Sequence, residues 1–357
     1  MAMTSMEQLR GFVSDLDSSM RQTVDPFDCR RIVLCGMGGS GISSDIVYDC
    51  CKLSEVPIHV VKSPILPKWV GRDDMVLIAS YSGNTNEVLE NYDRCRAIGC
   101  KMAVMTSGGK LEERADRDAV MKLMLPKGYA PRHAIGYSVG YTLSFIVAAG
   151  GYDARPNIAK VLPSLEAFRE SLELPGSHAM RLAEAYIGRT PVVFTDSRFK
   201  SAVTRWKTQF NENSKYVAFC DCVPSYTAAD FAAWERAVGQ PVAPTFIIGS
   251  DSCDPNVVEL SAAADRLEDA GVDVIRVMPG GFTYEDDLFR TLMIGDHASI
   301  YMADIRGIDS ARVRPIELLK ERIKASGRFD RCYFYTHPHQ SADSHEDVRH
   351  QRHPRSS

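Results

Sequence analysis

Short apolar runs alternate with stretches of helical period along most of the chain. The runs at 31–35, 58–61, 75–79, 101–105 and 119–125 read as buried parallel strands, and Val88, Leu89 and Tyr92 open a helix over 87–98. Strands spaced by helices of about ten to fifteen residues predict a right-handed parallel α/β sheet, with ligands beyond the carboxyl ends of its strands. Ahead of it, Leu9, Phe12, Val13, Leu16 and Met20 predict one amphipathic helix within residues 1–30. An apolar helix over 137–149 closes the series, and 150–156 reads as a linker. Helices are expected over 162–174 and 180–186. Strands at 191–197, 215–220, 245–248 and 273–278 then form a second series. Its loops Thr195-Asp196-Ser197 and Gly249-Ser250-Asp251-Ser252 echo the first series, so two related α/β halves are expected, each a doubly wound parallel sheet, over 31–150 and 151–327. Residues 328–357 carry His337, His339, His345, His350 and His353 among polar residues, the pattern of a disordered tail rather than a metal site.

Two loops at strand ends carry the candidate chemistry. Ser80-Tyr81-Ser82-Gly83-Asn84-Thr85 stands where the third strand hands over to a helix. A helix N-terminus offers unpaired N–H groups and a positive dipole end, and the hydroxyls of Ser80, Ser82 and Thr85 exceed what a simple helix cap needs, so the turn suits a phosphate. Gly36-Met37-Gly38-Gly39-Ser40-Gly41 follows the first strand in the same way. It matches the dinucleotide-binding pattern, which also needs an acidic residue about 20 positions on, at the end of the next strand. That strand ends in Lys62-Ser63-Pro64 instead, and Glu55 precedes it. The glycines, Gly39 among them, are better read as letting backbone approach a smaller phosphorylated ligand, with Ser40 adding a hydroxyl.

Charge narrows the partners. Forty-two basic against 46 acidic residues give a net charge of -4, so no basic excess points to nucleic acid or an anionic membrane. No window approaches the ~18 apolar residues of a membrane span, and residues 1–22 lack a signal-peptide core; a soluble, cytoplasmic protein is expected. The ten cysteines include Cys50-Cys51 and Cys220-x-Cys222, which match no zinc pattern and read as reduced, buried thiols.

Two further residues stand in polar loops or helix ends. Arg132, in Pro131-Arg132-His133, reads either as a surface charge or as a cation turned into the crevice toward phosphate or a developing oxyanion. Glu212, in Asn211-Glu212-Asn213, reads either as a solvated acid or as a general base.

With the glycine loop, Ser80–Thr85, Pro131-Arg132 with Gly136-Tyr137, and Gln209-x-Asn211-Glu212-Asn213 in this order, the chain resembles the bifunctional phosphoglucose/phosphomannose isomerases, built from two SIS (sugar isomerase) domains. The resemblance covers roughly residues 30–325. It implies that Ser40, Ser80, Ser82 and Thr85 hold the phosphate of a sugar phosphate, that Arg132 steadies an enediolate, and that Glu212 moves a proton between C1 and C2. It implies no metal or nucleotide cofactor, and a homodimer. Two positions depart from the family: Ala228 stands where the family has a histidine, and Arg314 where it has a lysine just before the C-terminal helix. Both family residues are implicated in opening the sugar ring, and alanine transfers no proton while arginine stays protonated. The implied alternatives are an isomerase with another ring-opening group, or a sugar-phosphate-binding protein that has lost catalysis. His133 is one substitute donor; its other reading is a surface imidazole.

Overall fold

β1 (Arg31–Gly36), β2 (Ile58–Val61), β3 (Asp74–Ala79), β4 (Lys101–Thr106) and β5 (Met121–Met124) lie in one parallel sheet of order β2-β1-β3-β4-β5. Ile32–Cys35 and Met75–Ala79 are buried on both faces, as continuous apolar runs require. Gly36 is registered against Ala79, so the glycine loop and the Ser80 turn leave neighbouring strand ends in the same direction. Because β1 has β2 on one side and β3 on the other, these loops open at the point where successive crossovers diverge.

The second sheet repeats this plan. β6 (Thr190–Asp196), β7 (Phe219–Val223), β8 (Val242–Ile247) and β9 (Ile275–Val277) take the order β7-β6-β8-β9, the first sheet's arrangement without its last strand. The echo between the loops of the two halves therefore has a topological basis.

The structure, a computed structural model, describes residues 3–223, 232–234 and 236–326. It divides into a unit spanning Met1–Arg312, which holds both sheets, and one spanning Val313–Ser357. Among the described residues of the first unit the longer helices are α1 (Ser5–Arg10), α2 (Phe12–Met20), α3 (Gly38–Cys50), α4 (Asn86–Ile98), α5 (Gly109–Arg117), α6 (Ile135–Ala148), α7 (Arg155–Leu172), α8 (His178–Tyr186), α9 (Lys200–Glu212), α10 (Pro255–Asp269) and α11 (Tyr284–Ile305). α11 is buried along most of its length and packs against α7, α8 and α9, with Trp206 Nε1 donating to the Thr291 carbonyl at 2.6 Å. One apolar cluster runs from Phe12 and Leu16 through Ile135 and Val139 to Trp206, Leu288 and Leu292, joining the two halves.

Several elements differ from the sequence reading. The N-terminal segment is two helices, broken at Gly11, whose N–H turns back to the Leu9 carbonyl. The strand expected over 215–220 begins at Phe219, because Lys215 takes a left-handed backbone (φ 51°) and Tyr216 N–H closes onto the Phe210 carbonyl. The linker is shorter than expected, since α7 starts at Arg155 with Pro156 in its first turn, where proline is tolerated. Among the described cysteines Cys35, Cys50, Cys51, Cys95, Cys100 and Cys222 are buried, while Cys253 is exposed. No described helix is long and apolar enough to cross a membrane.

The second unit contains α12 (Arg314–Ser326), which Arg314 opens rather than precedes. Ala228 and residues 328–357 lie outside the described residues.

Candidate active site

The Ser80 turn is built by β3 and α4. Ser80, 4% exposed, donates its N–H to the Met105 carbonyl, and its Oγ lies 3.0 Å from Thr85 Oγ1. Thr85 is the N-cap residue of α4, yet its hydroxyl faces Ser80 rather than the helix N–H groups. The first N–H groups of α4 therefore carry no side-chain cap. Ser82 is exposed and accepts from Asn84 N–H at 3.3 Å. Gly83 has φ 66°, and a Cβ there would fall 1.8 Å from the Gly108 carbonyl oxygen. Gly83→Ala is therefore expected to cost at least ~2 kcal/mol from backbone strain and overpacking, read as a lower urea midpoint at unchanged m.

Tyr81 ties this turn to the next loop: its hydroxyl donates to the Pro126 carbonyl and accepts from Tyr129 N–H, both at 2.9 Å. That loop runs into Arg132. The glycine loop meets it from the other side, where a Cβ on Gly39 would lie 3.1 Å from the Pro131 oxygen and 3.3 Å from Arg132 N. Bare backbone at Gly39 is what lets the two loops touch. Ser40 is buried in the first turn of α3. Lys62, at the end of β2, flanks the loop at Gly41 and is ion-paired with Asp45 of α3.

Arg132 is 5% exposed, which excludes its surface reading. Its Nε donates to Asn213 Oδ1 at 2.7 Å, its Nη2 to the Ser310 carbonyl at 2.7 Å, and its Nη1 lies 3.6 Å from Glu212 Oε2. Burial lowers the Arg132 pKa and Glu212 opposes that shift. A guanidinium nevertheless keeps its charge. Glu212 is the last residue of α9, its side chain 28% exposed.

A buried network sets this pair. Asn213 Nδ2 donates to Ser299 Oγ at 2.8 Å, and Ser299 Oγ donates to the Asp296 carbonyl at 2.7 Å. Arg205 donates through Nε and Nη2 to Asp296 Oδ2 at 3.1 and 2.9 Å, and through Nη2 to the Arg132 carbonyl at 2.9 Å. α9 and α11 thus fix both ends of Arg132, the guanidinium through Asn213 and the backbone through Arg205. A fixed cation beside a carboxylate can stabilise a developing oxyanion while the carboxylate carries a proton.

His133 is 1% exposed, so it is not a surface imidazole; Asn213 is the polar side chain beside its ring, and neither ring nitrogen reaches a full hydrogen bond among the described residues. Burial first, then Arg132 and Arg205, hold its pKa well below the ordinary histidine range. The folded protein keeps the ring neutral while the unfolded chain protonates it near pH 6.5, so stability falls as pH drops below ~6.5, by up to ~1.4 kcal/mol per unit. His133→Phe should flatten the pH dependence of the urea midpoint between pH 6.5 and 5, with His297 and His178, also lowered by burial, retaining their share. Equal slopes in both proteins would remove His133 from this role.

Gly39, Ser40, Ser80, Ser82 and Thr85 thus stand at adjacent strand ends, and Arg132, His133 and Glu212 lie together where the two halves meet. Arg314 belongs to the second unit. Sequence reasoning missed Arg205, Asp296 and Ser299, because α9 and α11 carry many polar residues and nothing in their spacing sets these three apart.

The family of the bacterial phospho-glucose isomerase C-terminal SIS domain matches residues 176–323. The bifunctional phosphoglucose/phosphomannose isomerase of Aquifex aeolicus is 32% identical over 299 residues, 83% of this chain and 91% of its own. The protein of that name from Caldicellulosiruptor bescii is 27% identical over 328 residues, 87% and 94% of the two chains. Among solved structures, a hypothetical protein from Thermus thermophilus shares the fold with a TM-score of 0.74 at 16% identity, covering 90% of each chain.

Proposed function

The chain belongs to the bifunctional phosphoglucose/phosphomannose isomerase family, and on that premise we propose that it converts glucose 6-phosphate or mannose 6-phosphate to fructose 6-phosphate through an enediolate, with Glu212 as base. It is a sugar-phosphate isomerase, and hexose phosphates are its substrate class. The observation that carries the finer reading is the 3.6 Å approach of Glu212 Oε2 to the buried Arg132 guanidinium beside the glycine loop.

In this scheme Glu212 takes the proton from C2 of the open-chain aldose. The C–H electrons form the C1–C2 double bond, and the carbonyl electrons move onto O1, facing Arg132. The O2 proton passes to O1 as the carbonyl re-forms at C2, and Glu212 returns its proton to C1. Ser80, Ser82 and Thr85, with Gly39 and Ser40, hold the remote phosphate and so orient the reacting carbons. His133 and Arg314 are the auxiliary candidates for ring opening. His133 suits a neutral acid or base, whereas Arg314 supplies charge. The proposed division into SIS domains, 31–150 and 151–327 after an N-terminal helical segment over 1–30, is supported by the repeated strand order. A cytoplasmic homodimer completes the reading.

The test is to mix purified protein with glucose 6-phosphate and, separately, mannose 6-phosphate, and to follow fructose 6-phosphate. Turnover above the spontaneous rate with at least one is expected; none with either refutes the proposal.

A further inference from the structure

The second sheet has a switch point of its own. β6 lies between β7 and β8 as β1 lies between β2 and β3, so the segment joining β8 to α10 takes the topological place of the Ser80 turn. A cavity of about 300 Å³ opens there, lined by Arg198, Ser250, Asp251, Phe282, Thr283 and Tyr284. This is where an α/β sheet takes its ligand.

The anion position in that crevice is already filled. Asp287, in the first turn of α11 and 4% exposed, accepts from Ser250 N–H at 2.8 Å, from Ser250 Oγ at 2.9 Å and from Gly281 N–H at 2.8 Å. A Cβ on Gly281 would lie 2.8 Å from Asp287 Oδ1, so bare backbone closes around this carboxylate much as Gly39 admits the neighbouring loop in the first half. Two N–H groups and a serine hydroxyl at a helix-entry turn are the donors an external phosphate uses. The surrounding charge also disfavours one: Arg198 is spent on Asp196 and Asp254, and Asp251 adds a further carboxylate.

We infer that Asp287 is a built-in carboxylate standing where the second half would otherwise hold a ligand anion, so that each chain carries a single phosphate site, at the Ser80 turn. The location of that single site rests on the proposed function; the filled crevice does not.

Two measurements decide. Equilibrium dialysis with labelled inorganic phosphate should give one phosphate per wild-type chain and none for Ser80→Ala. A phosphate that survives Ser80→Ala and is lost in Ser250→Ala would overturn the inference, whereas no binding by the wild type would count against the Ser80 site alone and leave the decision to the second measurement. That second measurement is rescue of Asp287→Ala, whose Tm should fall by about 5–10 °C as buried donors lose their acceptor. Formate at constant ionic strength should restore several degrees, in the wild type almost nothing, and in the Asp287→Ala/Ser250→Ala double variant less than half the recovery. If Asp287→Ala does not fold unaided, refolding in formate but not in chloride carries the same meaning. Failure of both formate and phosphate to restore Tm or folding overturns the inference.

Discussion

Glu212→Gln is expected to lower kcat by at least ~100-fold, the lower end of a positioned base's contribution, with KM for the aldose phosphate little changed. Glutamine keeps the shape of the side chain and its place at the end of α9 but cannot take a carbon-bound proton. The ion pair with Arg132 is lost as well; its 3.6 Å separation and the 28% exposure of Glu212 soften that loss, while the burial of Arg132 keeps it from vanishing. Arg132 itself stays held by Asn213 and the Ser310 carbonyl, so the cation should not move. Steady-state kinetics with a urea titration separate the effects. A kcat within tenfold of wild type at normal stability would mean that another group is the base.

The second large effect is thermodynamic. Arg205→Met should destabilise the protein by about 3–5 kcal/mol, because it leaves Asp296 buried without its counter-ion. The pair has little reserve: both side chains are at most 5% exposed, the bonds go to one carboxylate oxygen, and Asp296 Oδ1 has no hydrogen-bond partner among the described residues. Arg205→Met/Asp296→Leu should recover most of the loss, since an apolar pair of similar volume often replaces a buried ion pair without cost. The recovered double variant should still show reduced kcat, because the Arg132 carbonyl has lost the donor that fixed it. Urea midpoints and kcat of the three proteins provide the check, and a cost below ~1 kcal/mol for the single variant would contradict the role given to this pair.

What the chain disclosed about itself follows from the range over which each signal acts. Strands β1 to β4 begin and end within a residue or so of their apolar runs, because burial on both faces of a parallel sheet leaves a contiguous mark. The Ser80 turn was legible for the same reason: its hydroxyls and its glycine lie within one turn. α11 was not legible. A helix buried almost all round loses the apolar-polar period that identifies a helix, and it carries Asp286, Asp287 and Asp296 inside. The start of β7 slipped because Lys215 takes a left-handed backbone without being glycine. The setting of Arg132 depends on Asn213, 81 positions away, and the Arg205–Asp296 pair spans 91 positions. Spacing along a sequence carries no mark of such contacts, so Arg132 stayed open between surface and crevice until the fold joined its partners.

The anchoring of Arg132 has a mechanical consequence. The residue grows from the first half, rests against the backbone at Gly39, and gives its guanidinium to Asn213 and the Ser310 carbonyl of the second half, in a place almost closed to water. It works as a rivet. Swinging the halves apart would break buried hydrogen bonds to a charged group, at about 1.5–3 kcal/mol each, before any gap opened. On the proposed reading, exchange of sugar phosphate would then have to use the exposed turn at Ser82 and Asn84, with Arg132 and Glu212 staying together as one piece.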